Sequence, residues 1–257
     1  MTHEQRSPAE DRDHGRDGLV QHSGSKTRCN DALIKDIVDI NEAVCRELWH
    51  MVSPGQRVEA LTPKLIFPEL RSGNVRVSEQ EARFVYCSVL TRCSGYFYSV
   101  ETPTEESYSF SGANLMSARS DISLYSCEDG TVKDKVVNIE LKAGNCSAKH
   151  IEKDVEKLVK ERQVGNWFHC LSNIDSRTLR VLFNKLEQSF QSVAKPDTIT
   201  PLIVFCFCVL EKNWAIMKCF DPLRESVSQF FDLEYAVAQD SINVTKDNGW
   251  RCIRALK

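Results

Sequence analysis

Apolar positions along the chain change their spacing from one stretch to the next, and the spacings predict its elements. In residues 30–50, Leu33, Ile37, Ile40, Val44 and Leu48 recur at steps of three and four, which predicts an amphipathic helix. Asn30 or Asp31 is placed to cap it, and Ser53-Pro54-Gly55 ends it. From about residue 63 the pattern alternates between strand and helix. Ser78-Glu79-Gln80-Glu81 reads as a capping-box start for a helix running to about Arg92. Strands are predicted over Tyr96–Val100, Arg119–Tyr125 and Val136–Lys142, then a helix from Ser147 to about Arg162. A strand over Trp167–Leu171, a helix over Ser176–Val193 and a buried strand over Pro201–Leu210 follow. Two further strands are expected over Trp214–Phe220 and Trp250–Ala255. This order predicts one α/β domain over 63–257, a mixed central sheet flanked by helices. A helical segment over 29–62 precedes it. Residues 1–28 almost lack large apolar side chains and read as a disordered leader.

Strand parity brings polar residues together. Along VVNIELK, Val137, Ile139 and Leu141 share one face, and Asn138, Glu140 and Lys142 the other. Along RSDISLY, Ile122 and Leu124 face one way, and Asp121, Ser123 and Tyr125 the other. Asp129-Gly130 is a strong hairpin signal between the two segments. If those two residues are the turn, Glu128 pairs with Thr131 and Asp121 faces Asn138. Glu140 is then the diagonal neighbour of Asp121, with Cα atoms about 7–8 Å apart. A loop longer by two residues sets Asp121 directly opposite Glu140. Either register puts Asp121, Glu140 and Lys142 on one face, and only a bulge breaks the parity.

Composition narrows the possibilities. With 42% hydrophobic and 27% charged residues in 257, the chain has material for a sizeable core. Its net charge of −3 means that any phosphate-binding surface must be local. Eleven cysteines with no C-x-x-C pair argue for a reducing cytosol over a disulfide framework. Cys206 and Cys208, inside LIVFCFCVL, read as small hydrophobes in a strand. No apolar leader or membrane-length segment is present, so a cytoplasmic protein without a membrane partner is expected. No His/Cys cluster has zinc spacing, no Gly-rich phosphate loop appears, and no nucleophile elbow supports Ser-His-Asp catalysis.

Two carboxylates on one face repel each other unless a cation lies between them, and oxygen ligands so spaced suit Mg²⁺ or Mn²⁺. A lysine beside them can hold a phosphate or orient water, and together these groups suit phosphodiester hydrolysis. Ser120-Asp121 followed by Glu140-Leu141-Lys142 resembles the signature of the PD-(D/E)xK nuclease superfamily, the restriction-endonuclease-like fold. That family's core runs helix, three strands, helix, strand, which is the order read here over residues 79–171. Ser120 stands where the family has proline. The resemblance implies Asp121 and Glu140 as metal ligands, joined by the Leu141 carbonyl, and Lys142 as the catalytic lysine. It also implies a supporting glutamate on the first helix, Glu81 or Glu79. It implies a Mg²⁺-dependent endonuclease acting on DNA, with a restriction-like or host-defence role. Two alternatives stay open: an RNA-acting hydrolase, and a catalytically silent nuclease-like fold that binds nucleic acid or protein. A homodimer is compatible with any of these.

Each feature also has a plain structural reading. An exposed sheet face would leave the acids and lysine simply solvated. Glu81, at the third helical position, could serve only the cap. Glu69 and Glu101 read as structural. Lys149, Lys153, Lys157 and Lys160 recur at helical spacing and read either as a solvated face or as phosphate contacts, Lys149 and Lys153 foremost. His169, in NWFHCL, reads as a satisfied, half-buried histidine, and His150 lies near the site in sequence.

Overall fold

In a computed structural model of the chain, residues 23–57, 64–109, 116–173, 176–193, 201–231 and 249–255 are described. The leader assigned to 1–28 lies outside them as far as residue 22. The first helix, α1 (Ser23–Trp49), begins seven residues before Asn30. Helix α2 spans Glu79–Cys93. Three strands follow, β1 (Phe97–Tyr108), β2 (Met116–Glu128) and β3 (Thr131–Ala143), all longer than the periodicity indicated. Then come α3 (Ala148–Lys160), β4 (Val164–Leu171), α4 (Ser176–Ser192), β5 (Ile203–Val209), β6 (Trp214–Phe220), the short α5 (Val227–Phe230) and β7 (Arg251–Arg254).

The seven strands form one sheet in chain order. β1, β2 and β3 make an antiparallel meander. Helices α3 and α4 cross between β3, β4 and β5, which are parallel, and β6 and β7 return antiparallel. Parallel strands are covered on both faces, which explains why VGNWFHCL and IVFCFCV read as unbroken apolar runs. Period-two alternation divides them. Val204, Cys206 and Cys208 join Ile122, Ile139 and Leu141 beneath α1 and α2. Ile203, Phe205 and Phe207 join Trp167 beneath α3 and α4. Cys45, Cys170, Cys206 and Cys208 are free thiols buried in the first of these layers, with Cys45 Sγ 3.7 Å from Cys206 Sγ.

Two devices fix the part of the sheet that matters. Asp129 and Gly130 take positive φ, 49° and 71°, as a two-residue hairpin turn requires, and Glu128 pairs with Thr131. Two register shifts follow, one between Leu124 and Tyr125 and one between Tyr125 and Cys127. Each moves the pairing by one residue. Together they restore the parity, so that Ser123, and not Asp121, faces Asn138. At the far end of α3, the Glu161 carboxylate accepts hydrogen bonds from the Glu105 and Glu106 amides, Tyr108 Oη and Lys135 Nζ, all within 3.1 Å. This clasp holds β1 against α3.

Candidate active site

β2 and β3 pair as far as Ile122–Ile139 and part beyond it. One step further, the same register sets Asp121 across from Glu140. The direct juxtaposition expected of a longer loop is thus produced by two bulges behind a two-residue turn. At the fork, Asp121 Oδ2 accepts the Leu141 amide at 2.7 Å, filling the place of a ladder bond. Asp121 Oδ1 takes Arg83 Nη2 at 2.5 Å, and Arg83 Nη1 reaches Glu101 at 2.6 Å. Glu101 is therefore bound to the fork from β1, and it holds a positive φ of 50° there.

Glu140 and Lys142 lie on the face covered by α3, which rules out the solvated-sheet reading. Glu140 is fully buried and Lys142, Asp154 and Lys157 are each at most 8% exposed. They form a chain of alternating charge. Glu140 Oε2 is 2.5 Å from Lys157 Nζ, Lys157 is 2.8 Å from Asp154 Oδ1, and Asp154 Oδ2 is 2.7 Å from Lys142 Nζ. Lys157 also donates to the Arg119 carbonyl at 2.9 Å. Lys142 donates to the Leu141 carbonyl at 2.9 Å and approaches Glu79 Oε1 at 3.4 Å. Glu140 Oε1 is buried with no hydrogen-bond partner.

Burial and charge work against each other here. Burial pushes Glu140 up, Lys157 opposes it, and Asp154 and Asp121 add to the rise, leaving it well above the ordinary carboxylate value. Burial also pushes Asp154 up, but Lys157 and Lys142 outweigh it and hold Asp154 below its ordinary value. Burial pulls both ammonium groups down. Asp154, Glu79 and Asp121 outweigh it at Lys142, and Glu140 and Asp154 at Lys157, so both lysines stay charged far into the alkaline range.

Glu140 and Lys142 thus share the face beneath α3, whereas Asp121 is tied to α2 through Arg83 and Glu81 is held by Arg76. Of the two helix glutamates, Glu79 touches Lys142. Glu81 is buried, accepts Arg76 Nη2 at 3.0 Å and takes the Ser78 hydroxyl, so Ser78 makes no side-chain cap of its own. Sequence reasoning missed Asp154 and Arg83 and misplaced Lys157. Lys149 is exposed and Lys153 half-buried, but Lys157 turns into the sheet, so the four lysines are not one solvated stripe. The reason is helical geometry. Steps of four residues advance about 40° beyond a full turn, which carries Lys157 about 80° from Lys149, to the margin of the apolar face. Asp154 and Lys157 at that margin, three apart, were the available signal.

His169 is fully buried, against the half-buried expectation. Its Nε2 donates to the Gly144 carbonyl at 2.7 Å, and Nδ1 has no partner. Burial is the main cause that lowers its pKa to about 4. Cys146 Sγ lies 3.8 Å from the same Nε2, but burial raises its thiol pKa, so it is not an activated nucleophile. His150 is exposed, its amide bound by the Ser147 cap.

Among the described residues, no group of three or more His, Cys, Asp or Glu side chains has the geometry to hold a metal ion. The oxygen donors at the fork are two carboxylates and a backbone carbonyl. Comparison with protein-family models, with curated proteins and with solved structures gave no match. No described helix is long and apolar enough to cross a membrane.

Proposed function

We propose that the chain is a Mg²⁺- or Mn²⁺-dependent endonuclease that hydrolyses DNA phosphodiester bonds. The observation that carries this reading is that Asp121 stands at the β2/β3 fork beside Glu140 and Lys142, which are buried beneath α3. Further support comes from element order. α2, the antiparallel β1–β2–β3, α3 and the parallel β4 follow the order of the restriction-endonuclease-like core.

Hard oxygen donors suit a divalent cation, and Glu140 Oε1 is a buried oxygen that lacks any partner. Asp121, Glu140 and the Leu141 carbonyl would hold the ion. Bound there, it would supply Lewis-acid polarisation of the phosphate and an acidified water. The chain's own residues do the rest. The Leu141 amide aims the Asp121 carboxylate. Lys142, fully charged, orients water and stabilises the developing oxyanion. The exposed Lys149, and Lys153 one turn further along α3, would contact the phosphates of a duplex held at the site.

A second reading has an observation of its own. Each oxygen of Asp121, and Oε2 of Glu140, already has a protein donor. A fork closed in this way suits a nuclease-like fold that binds nucleic acid without cutting it. Incubation with plasmid DNA, with and without Mg²⁺ or Mn²⁺, separates the two. The endonuclease nicks or linearises the plasmid only with metal, and Lys142→Ala abolishes this, roughly a 1000-fold loss for removal of a preorganised charge. A wild-type protein that shifts DNA in a gel but never cuts it with either ion supports the silent reading.

A further inference from the structure

Lys142 has three polar partners at the fork, and their distances are unequal. Asp154 is the short one, at 2.7 Å from a carboxylate that is itself buried. The Leu141 carbonyl, at 2.9 Å, belongs to the neighbouring residue and moves with the strand. Glu79, at 3.4 Å, comes from α2, and its side chain is 38% exposed. An ammonium has three N–H donors. Two are committed to fixed, buried oxygens and the third points toward the weakest and wettest partner.

We infer that Asp154 is a positioning residue, whose carboxylate fixes the Lys142 ammonium so that its third donor is left for a phosphate oxygen or an attacking water. This rests on the nuclease reading of the site and adds to it a residue that touches neither metal nor substrate. Asp154 also keeps the two lysines apart in function. By taking Lys157 on Oδ1 and Lys142 on Oδ2, it leaves Lys157 to face Glu140 and Lys142 to face outward. The crossover connection makes this possible: α3 folds back over the strand that precedes it, which brings residue 154 over residue 142. The charged and titratable groups around Lys142 are Asp154 and Lys157 from α3, Glu79 from α2, Asp121 from β2, Glu140 from its own strand, His169 from β4, Cys146 beyond the strand end, and Lys185, which reaches Cys146 from α4. Of the acids among them, only Asp154 combines a short contact with burial.

Two measurements test this, on the full chain. The first is the ¹⁵N-detected signal of the Lys142 ammonium, identified by its loss in Lys142→Ala. A clamped ammonium exchanges slowly enough to be seen. Asp154→Asn should abolish the signal, and Asp154→Glu, which keeps the charge, should retain part of it. The second is steady-state cleavage of plasmid DNA in Mg²⁺. Asp154→Asn should lower kcat roughly 100-fold with KM within a few-fold, the cost of a misplaced catalytic group, and Asp154→Glu should recover part of the loss. A thermal melt confirms that each variant is folded. Should Asp154→Asn misfold, Asp154→Glu alone decides, since a displaced carboxylate must still weaken both readouts. A Lys142 signal that survives unchanged in Asp154→Asn, or one absent from the wild type, overturns the proposal. So does wild-type kcat in Asp154→Asn. A wild type that cuts no DNA removes the nuclease reading alone, and the ammonium signal still decides whether Asp154 clamps Lys142.

Discussion

Two buried polar clusters, on opposite faces of the sheet, are built on opposite terms. Beneath α1 and α2, Asn41, Tyr86 and Asn166 form a neutral ring. Asn41 and Asn166 exchange amide bonds at 2.9 and 3.1 Å, Asn166 donates to Tyr86 Oη at 3.0 Å, and Tyr86 donates to Asn41 at 2.8 Å. Every side chain is paired within the ring. Beneath α3, Glu140, Lys157, Asp154 and Lys142 set four ionisable groups in a row, with one carboxylate oxygen left over. Neutral buried hydrogen bonds contribute about 1 kcal/mol each. Buried ion pairs often do no better than apolar residues of the same volume, because desolvation offsets their attraction. The ring under α1 is thus what a fold needs to tie a helix to a strand. The charged row is more than a fold needs, and its spare oxygen sits where β2 and β3 part.

Breaking each cluster should separate these roles. The largest effect is expected at Lys157. Lys157→Met leaves Glu140 buried beside an apolar chain and should cost about 3–5 kcal/mol in urea unfolding. Pairing it with Glu140→Gln should return much of that loss. A double variant no more stable than the single one would mean that the carboxylate was not the source of the cost.

Acid should probe the same face through His169. Its ring stays neutral in the folded chain down to about pH 4, whereas in the unfolded chain it takes a proton near its ordinary 6.5. Its contribution is therefore whole above pH 6.5 and is lost as pH falls from 6.5 through about 4. That amounts to about 3 kcal/mol. Urea unfolding of wild type and His169→Gln between pH 7 and pH 4 should show this part of the slope only in the wild type; parallel curves would dismiss it. The smallest effect is expected from the neutral ring. Asn41→Ala should cost about 1–3 kcal/mol by orphaning Asn166 and Tyr86, while any metal-dependent cleavage keeps its wild-type rate. A cleavage defect at a temperature where the variant is folded would erase the distinction between the clusters.

Much of this was legible in the chain. Alternation along VVNIELK and RSDISLY, with a single Asp-Gly between them, placed Asp121, Glu140 and Lys142 on one face, because parity is local information. The strand lengths were not legible. β1 and β2 run on as a two-stranded ribbon through Ser, Thr and Glu residues with little apolar alternation, held by β-ladder bonds and the Glu161 clasp, which joins residues more than fifty positions apart. Nor was Arg83, whose meaning depends on α2 lying over the fork. Asp154 and Lys157 were hidden for a subtler reason. A helix read by its apolar stripe assigns every lysine to water, whereas long side chains at the edge of that stripe can fold inward when an acid waits there.

The paired bulges in the β2/β3 hairpin have one more consequence, for descent. Between the Asp129-Gly130 turn and Asp121, the ladder slips by one residue twice, and only the sum keeps the acids together. A lineage that gained or lost a single residue in this hairpin would take Asp121 away from Glu140 or flip Glu140 beneath the opposite layer, since an odd slip exchanges the faces of a strand. Gains or losses of two would slide the hairpin and leave the faces as they are. Length variation among descendants of this chain should therefore come in even steps here.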